Sequence, residues 1–123
     1  MGVYTQEELS EATRAIDSTR MKSEKAILKL KEGTAQYRLT ARGIAAYSLA
    51  LRLIAREQGE PQEAILYSKE SLEQAVEAFA FATARVKSVL PKFATGTPQH
   101  TLAVRRLRAF AIAQELLRRE IQE

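Results

Sequence analysis

A chain of 123 residues is long enough for one domain that buries its own hydrophobic core. It has no cysteine, which excludes a disulfide framework and thiolate metal ligands, and its single histidine excludes a multi-histidine metal centre. A net charge of +4 with a pI of about 9.6 is mildly basic, and 46% hydrophobic with 28% charged residues is the ordinary balance of a globular protein.

The first segment, MGVYTQEELSEA, has neither the basic start nor the apolar stretch of a signal peptide. Gly2 is followed by Gln6 where a myristoylation signal needs Ser or Thr. Apolar runs such as IAAYSLAL fall well short of the roughly 20 residues that a membrane span requires. No membrane association is expected, and the cysteine-free composition fits the cytoplasm.

The first predicted helix carries apolar or small residues at an alternating three-four spacing: Leu9, Ala12, Ile16, Thr19, Ser23, Ala26 and Leu30. Gly33 suits the left-handed position that ends a helix, and Thr34 suits the N-cap of the next. The second helix has a broad apolar arc that includes Leu39, Ile44, Tyr47, Leu51, Leu53 and Ile54, wider than one neighbour requires. Ala46 and Ala50 on this arc would allow a close helix approach. A short connector, EQGEP (57–61), leads to the third helix, whose seam reads Leu72, Ala75, Phe79, Ala82, Val86, Val89 and Phe93. This seam is greasier than the first, so the third helix is expected to sit deeper. Pro91 predicts a kink or an early stop. Gly96 and Thr97 repeat the loop, Pro98 falls at the first position of the fourth helix, and Leu102, Leu107, Ala109, Phe110, Ala113, Leu116 and Leu117 repeat the arc.

Displaced by 63 residues, the chain aligns with itself without a gap: 4–57 lie on 67–120, and 16 of these 54 pairs are identical. The identities include Gly33/Gly96, Thr34/Thr97, Gln36/Gln99, Leu39/Leu102, Arg42/Arg105 and Ala46/Ala109. This pattern reads as a tandem duplication of a helical hairpin. It predicts a single domain over 1–123 and an all-α fold. The expected architecture is an antiparallel four-helix bundle of two hairpins with internal pseudo-symmetry and both G-T-x-Q loops at one end.

Charge is distributed by end. Segments 18–52 and 78–114, the halves nearer the loops, hold 14 Lys and Arg against two acids, Glu24 and Glu32, while the rest of the chain holds 5 against 13. The helix dipole accounts for acids at the starts and bases at the ends of helices one and three. It does not account for Arg38, Arg42, Arg105, Arg106 and Arg108 near the starts of helices two and four. Arginines converging with two helix N-termini would form an anion site. The candidate residues are Arg42, Arg105, Arg106 and Arg108 with Thr34, Thr97, Gln36, Gln99 and His100. Each also has a structural reading: the threonines cap, the glutamines brace the loop, and Arg42 and Arg105 snorkel to cap carbonyls. His100 has no nucleophile near it in sequence, so no catalytic residue is assigned. No Glu-x-x-His pair exists, so no metal is assigned, and no cofactor is implied. Aromatic residues do not interleave the bases, which disfavours stacking on single-stranded nucleic acid.

The string GTPQHTLAVRRLRAF and its partner GTAQYRLTARGIAAY are similar to a G-T-x-Q-H-x-L pattern followed by an Arg-Ile/Leu-x-Ala step. This resembles an uncharacterised family of small bacterial helical proteins. The two copies cover nearly the whole chain, and the first departs from the pattern at Tyr37 and Gly43. The resemblance implies a helical repeat and no established activity.

Three functions follow as expectations. The first is a non-enzymatic interaction module that recognises an anionic partner, nucleic acid or acidic protein, at the basic loop end. The second is a small-ligand or enzymatic site at that end, with His100 facing a pocket. The third is a structural protein that forms a homo-oligomer through its wide apolar arc. The first predicts salt-sensitive binding that is abolished by Arg105→Glu together with Arg106→Glu, measured at low and moderate ionic strength.

Overall fold

A computed structural model describes residues 3–60 and 67–122; Pro61 of the expected connector and the acidic Glu63 lie outside them. Four α-helices follow in order: α1 (Gln6–Ile27), α2 (Ala35–Glu57), α3 (Lys69–Val89) and α4 (Pro98–Gln122). A 3-10 turn, Leu90–Lys92, extends α3. The fold is an all-α antiparallel four-helix bundle in which α1 pairs with α2 and α3 with α4, and the hairpins meet through α1 against α4 and α2 against α3.

Each helix starts where a hydroxyl can satisfy a free amide. Thr5 accepts from the Glu8 N–H at 3.0 Å while Glu8 accepts from the Thr5 N–H at 2.9 Å, a complete capping box. Ser68 plays the same part for α3, accepting from the Ser71 N–H at 3.0 Å. Thr34 and Thr97 cap α2 and α4, accepting from the amides of Tyr37 and His100, each at 3.2 Å. Pro91 ends α3 as expected, in the 3-10 turn.

The glycines behave differently from the expectation. α1 stops at Ile27, where the N–H groups of Lys29 and Leu30 reach back only three residues, to Ala26 and Ile27. Leu28 is 84% exposed, so nothing packs at the tip to reward another helical turn. Gly33 therefore does not terminate α1. It lies in a tight turn closed by the Thr34 N–H on the Lys31 carbonyl, with φ +89°, and Gly96 does the same with φ +90° in a turn closed by Thr97 on Ala94. The glycine that does end a helix is Gly59, with φ +87°. There the Gly59 N–H bonds the Arg56 carbonyl and the Glu60 N–H bonds the Ala55 carbonyl, a full Schellman motif closing α2.

The core occupies the half of the bundle away from the loops. Leu9, Ile16, Ile54, Phe79, Phe110 and Leu117 are its largest fully buried side chains, each worth about 1.5–3 kcal/mol of apolar burial. Phe79 meets Tyr47 edge-on at 5.4 Å and Phe110 at 5.6 Å, and Tyr47 stacks on Phe110 with 13° between the rings. At the far end Arg56 pairs with Glu120, and Arg119 approaches Glu57 at 4.0 Å and Glu115 at 3.1 Å. The Arg56–Glu120 and Arg119–Glu57 pairs exchange residues 63 apart, so each hairpin gives the other the same contact. Tyr4 donates to Glu115, and burial together with that carboxylate pushes the Tyr4 hydroxyl up to about 12.

The third helix does not sit deeper than the first. α3 buries Leu72, Ala75 and Phe79, α1 buries Leu9, Ala12, Ala15 and Ile16, and the greasy Val86 and Val89 stay partly or largely exposed. The reason is the cross-section. Ala46, Ala50, Ala109 and Ala113 are all buried, and these small residues let α2 and α4 touch across the bundle. The Cα atoms of α1 and α3, on the other diagonal, nowhere come within 8 Å of each other among the described residues. Near the core Ile16 and Phe79 fill the space between them. Towards the loops the same positions carry Thr19, Ser23, Ala82 and Val86, which are too short to do so.

Two stability measurements check this packing. Ala50→Leu, at a fully buried site on the short diagonal, overpacks the contact and should lower the unfolding free energy by about 1–3 kcal/mol in chemical denaturation. Gly43→Ala, inside α2, should raise it by about 0.5–1 kcal/mol, because the added carbon meets the Tyr47 ring at an ordinary 3.5 Å.

Candidate functional site

The gap between α1 and α3 is a cleft of about 460 Å³ that opens at the loop end of the bundle. All four helices line it. From the core outwards α1 contributes Thr19, Lys22, Ser23 and Ala26, with Leu30 from the loop that follows, and α3 contributes Ala82, Arg85, Val86 and Val89. α2 supplies Gln36, Thr40 and Tyr47, and α4 supplies Arg106 and Phe110. The buried rings of Tyr47 and Phe110 form the floor.

Three cations, Lys22, Arg85 and Arg106, share this cleft, and among the described residues no carboxylate lines it. The nearest acids along α1 are already engaged: Arg20 holds Asp17 at 2.6 Å and Glu24 at 2.8 Å. Arg106 is the unusual member. Its Nε and Nη2 are closed off from solvent and have no hydrogen-bond acceptor. Leaving a buried donor unsatisfied costs about 1–3 kcal/mol, and more when the group is charged. Burial raises the pKa of the Tyr47 hydroxyl, while the positive charges of Arg85 and Arg106 oppose that rise. A positive field therefore reaches the floor of the cleft.

The residues picked out in the sequence do not assemble as one cluster. Arg106 and Gln36 line the cleft. Arg105 and Arg108 line a groove of about 380 Å³ between α1 and α4, together with Glu8, Glu11 and Glu115. Arg42 lies between α2 and α3, where it lines one groove with Leu39, Gln74, Glu77 and Phe81 and a second, of about 290 Å³, with Arg52, Tyr67 and Ser71 and, among the described residues, no lining carboxylate. Helical geometry is the cause: at 3.6 residues per turn Arg108 returns to within about 60° of Arg105, whereas Arg106 is turned about 100° away. Thr34 and Thr97 spend their hydroxyl protons on the carbonyls of Lys31 and Ala94, each at 2.7 Å, besides capping. His100 is half-buried and Gln99 exposed, and neither lines the cleft. The arginine that bonds a loop carbonyl is Arg38, which donates to the Gly33 oxygen at 2.8 Å.

Sequence reasoning passed over Lys22, Arg85, Thr40 and Tyr47. A signal for two of them was present, because Lys22 and Arg85 are 63 residues apart and conserve charge across the two halves. Arg106 corresponds instead to Gly43, so the cleft holds one such guanidinium rather than a symmetric pair. Among the described residues no cluster of His, Cys, Asp and Glu is placed to hold a metal ion, and no helix is long and apolar enough to cross a membrane.

Comparison with known proteins found no matching family model, no matching curated protein and no matching solved structure. The site must therefore be interpreted from its own chemistry.

An orphaned guanidinium should weaken the unliganded protein. Arg106→Met, which keeps the side-chain bulk and removes the unpaired donors, should raise the unfolding free energy in ligand-free, low-salt buffer by about 1–3 kcal/mol.

Proposed function

We propose that the protein is a non-enzymatic binding module whose cleft between the hairpins takes an anionic group on Arg106, flanked by Lys22 and Arg85. The observation that carries this reading is the convergence of Lys22, Arg85 and Arg106 on one cleft that, among the described residues, no carboxylate lines. A carboxylate or phosphate would balance this charge and accept from the cationic groups that line the cleft. The cleft offers donors and charge but no general base. The Thr19 and Thr40 hydroxyls donate to the carbonyls of Ala15 and Gln36, both at 2.9 Å, which favours binding over chemistry.

The distribution of the other arginines separates the candidate partners. A nucleic-acid backbone needs a continuous track of cations. Here Arg42, Arg105 and Arg108 occupy other grooves than Arg106, and Glu8, Glu11, Glu77 and Glu115 share those grooves. A single anionic group, free or carried by an acidic partner, fits the cleft better. The tandem duplication belongs to this reading: two copies of one hairpin build a closed base, and the Gly43/Arg106 difference makes the open end one-sided. The similarity to small bacterial helical proteins and a cytoplasmic setting are compatible with it.

Thermal shift and calorimetry with inorganic phosphate test the proposal. Phosphate should raise the melting temperature at low salt, and Arg106→Gln should abolish the response while Arg42→Gln leaves it intact. An unchanged response in Arg106→Gln, or equal loss in both variants, would overturn the assignment.

A further inference from the structure

We infer that the ligand of this cleft is an amphiphile, an anionic headgroup on an unbranched alkyl chain; this rests on the anion reading above. The lining residues change in character from floor to mouth. Nearest the floor along the helices is Arg106, one turn of α4 from Phe110 towards the loops. Lys22 and Arg85 come next along their helices. Beyond them one side of the lining is apolar, with Val86 and Val89 on α3, Ala26 on α1 and Leu30 in the loop, while Gln36 and Thr40 of α2 form the polar side opposite. A ligand charged throughout, such as a polyphosphate, would leave that outer wall unmatched. An uncharged apolar ligand would leave Arg106 unsatisfied. A headgroup at Arg106 with a chain leading outwards matches both zones.

Dimensions agree. The rise from Thr19, beside the floor, to Ala26 is about 10 Å along α1, which is the reach of a medium-length alkyl chain. The cleft volume of about 460 Å³ lies within the usual range of small-ligand sites, roughly 300–1,000 Å³. Val86 and Val89 are left partly or largely exposed because the α2–α4 contact holds α1 and α3 apart, so their apolar surface is available to a chain. The two walls also differ. Thr19 and Ser23 on α1 face the positions held by Ala82 and Val86 on α3, which gives the chain one preferred side.

The test is a calorimetric titration of the full chain with acetate, butanoate, hexanoate and octanoate at constant ionic strength, below micelle-forming concentrations. Octan-1-ol and inorganic phosphate serve as controls. Affinity should rise about threefold to fourfold per added methylene through this series. Octan-1-ol should bind at least tenfold more weakly than octanoate. Val86→Ser combined with Val89→Ser should flatten the chain-length dependence while the phosphate response persists, and Arg106→Gln should remove the preference for octanoate over octan-1-ol. Phosphate binding with no dependence on chain length in the unmodified protein would overturn the amphiphile and leave the anion site standing. Failure of every anion to bind would overturn both.

Discussion

The short diagonal of the bundle governs the rest of the structure. Ala46 and Ala50 of α2 meet Ala109 and Ala113 of α4, with no side chain longer than a methyl group at these four buried positions. Two helices that approach this closely force the other two apart, because four cylinders that share one short diagonal must have one long diagonal. The bundle is consequently rhombic. Its long diagonal is filled in one half by Leu9, Ile16, Leu72 and Phe79, and the other half is left open. The core and the cleft result from the same packing decision, and the side chains along α1 and α3 determine where one gives way to the other.

This arrangement also sets the electrostatics. At the closed end, charges are paired across the hairpins, Arg56 with Glu120 and Arg119 with Glu57; within α4 Arg119 also holds Glu115, which accepts the Tyr4 hydroxyl from the other hairpin. The bonds of Tyr4 and Arg119 hold the Glu115 carboxyl below its ordinary value. Such exposed pairs contribute little each, about 0–1 kcal/mol. Their larger effect is on geometry, since they join α2 to α4 at the point where the short diagonal begins. At the open end the charges of one sign are not balanced locally. Arg106 carries the consequence most directly, because its Nε and Nη2 are shielded from solvent and have no acceptor.

Much of the fold could be read from residue order. The hydroxyl at each capped N-terminus, Pro91 after α3 and the three-four spacing of Leu9, Ala12 and Ile16 act within a few residues, and the structure follows them. The role of glycine was harder to read, because Gly33, Gly59 and Gly96 all have positive φ and the sequence does not say on which side of a turn the helix has stopped. Gly33 and Gly96 lead into helices, whereas Gly59 closes one. The greasier seam of α3 was also misleading: Val86 and Val89 have the spacing of core residues, but Val86 is only partly buried at the core's edge and Val89 is exposed. The site was legible in part. An acid-poor, base-rich end is visible in the charge pattern, and Arg106 and Gln36 were among its candidates. The separation of Arg105 and Arg108 from Arg106, and the arrival of Lys22, Arg85 and Tyr47 beside it, depend on rotation about each helix axis and on contacts between hairpins.

The sequence alone determined the helices, their caps, their antiparallel order and the polarity of charge between the two ends. All of these follow from local hydrogen bonding, side-chain periodicity and loop length, which act over short stretches of chain. Only the tertiary structure decided which helices meet across the bundle, and therefore that α1 and α3 stand apart and leave a cleft. It also decided that Arg106 shares this cleft with Lys22 and Arg85 rather than with Arg42, Arg105 and Arg108. The GTAQY and GTPQH loops illustrate the division. Their glycine turns and threonine caps are local, whereas the cleft between the hairpins is lined by residues distant in sequence that only the packing of the helices brings together.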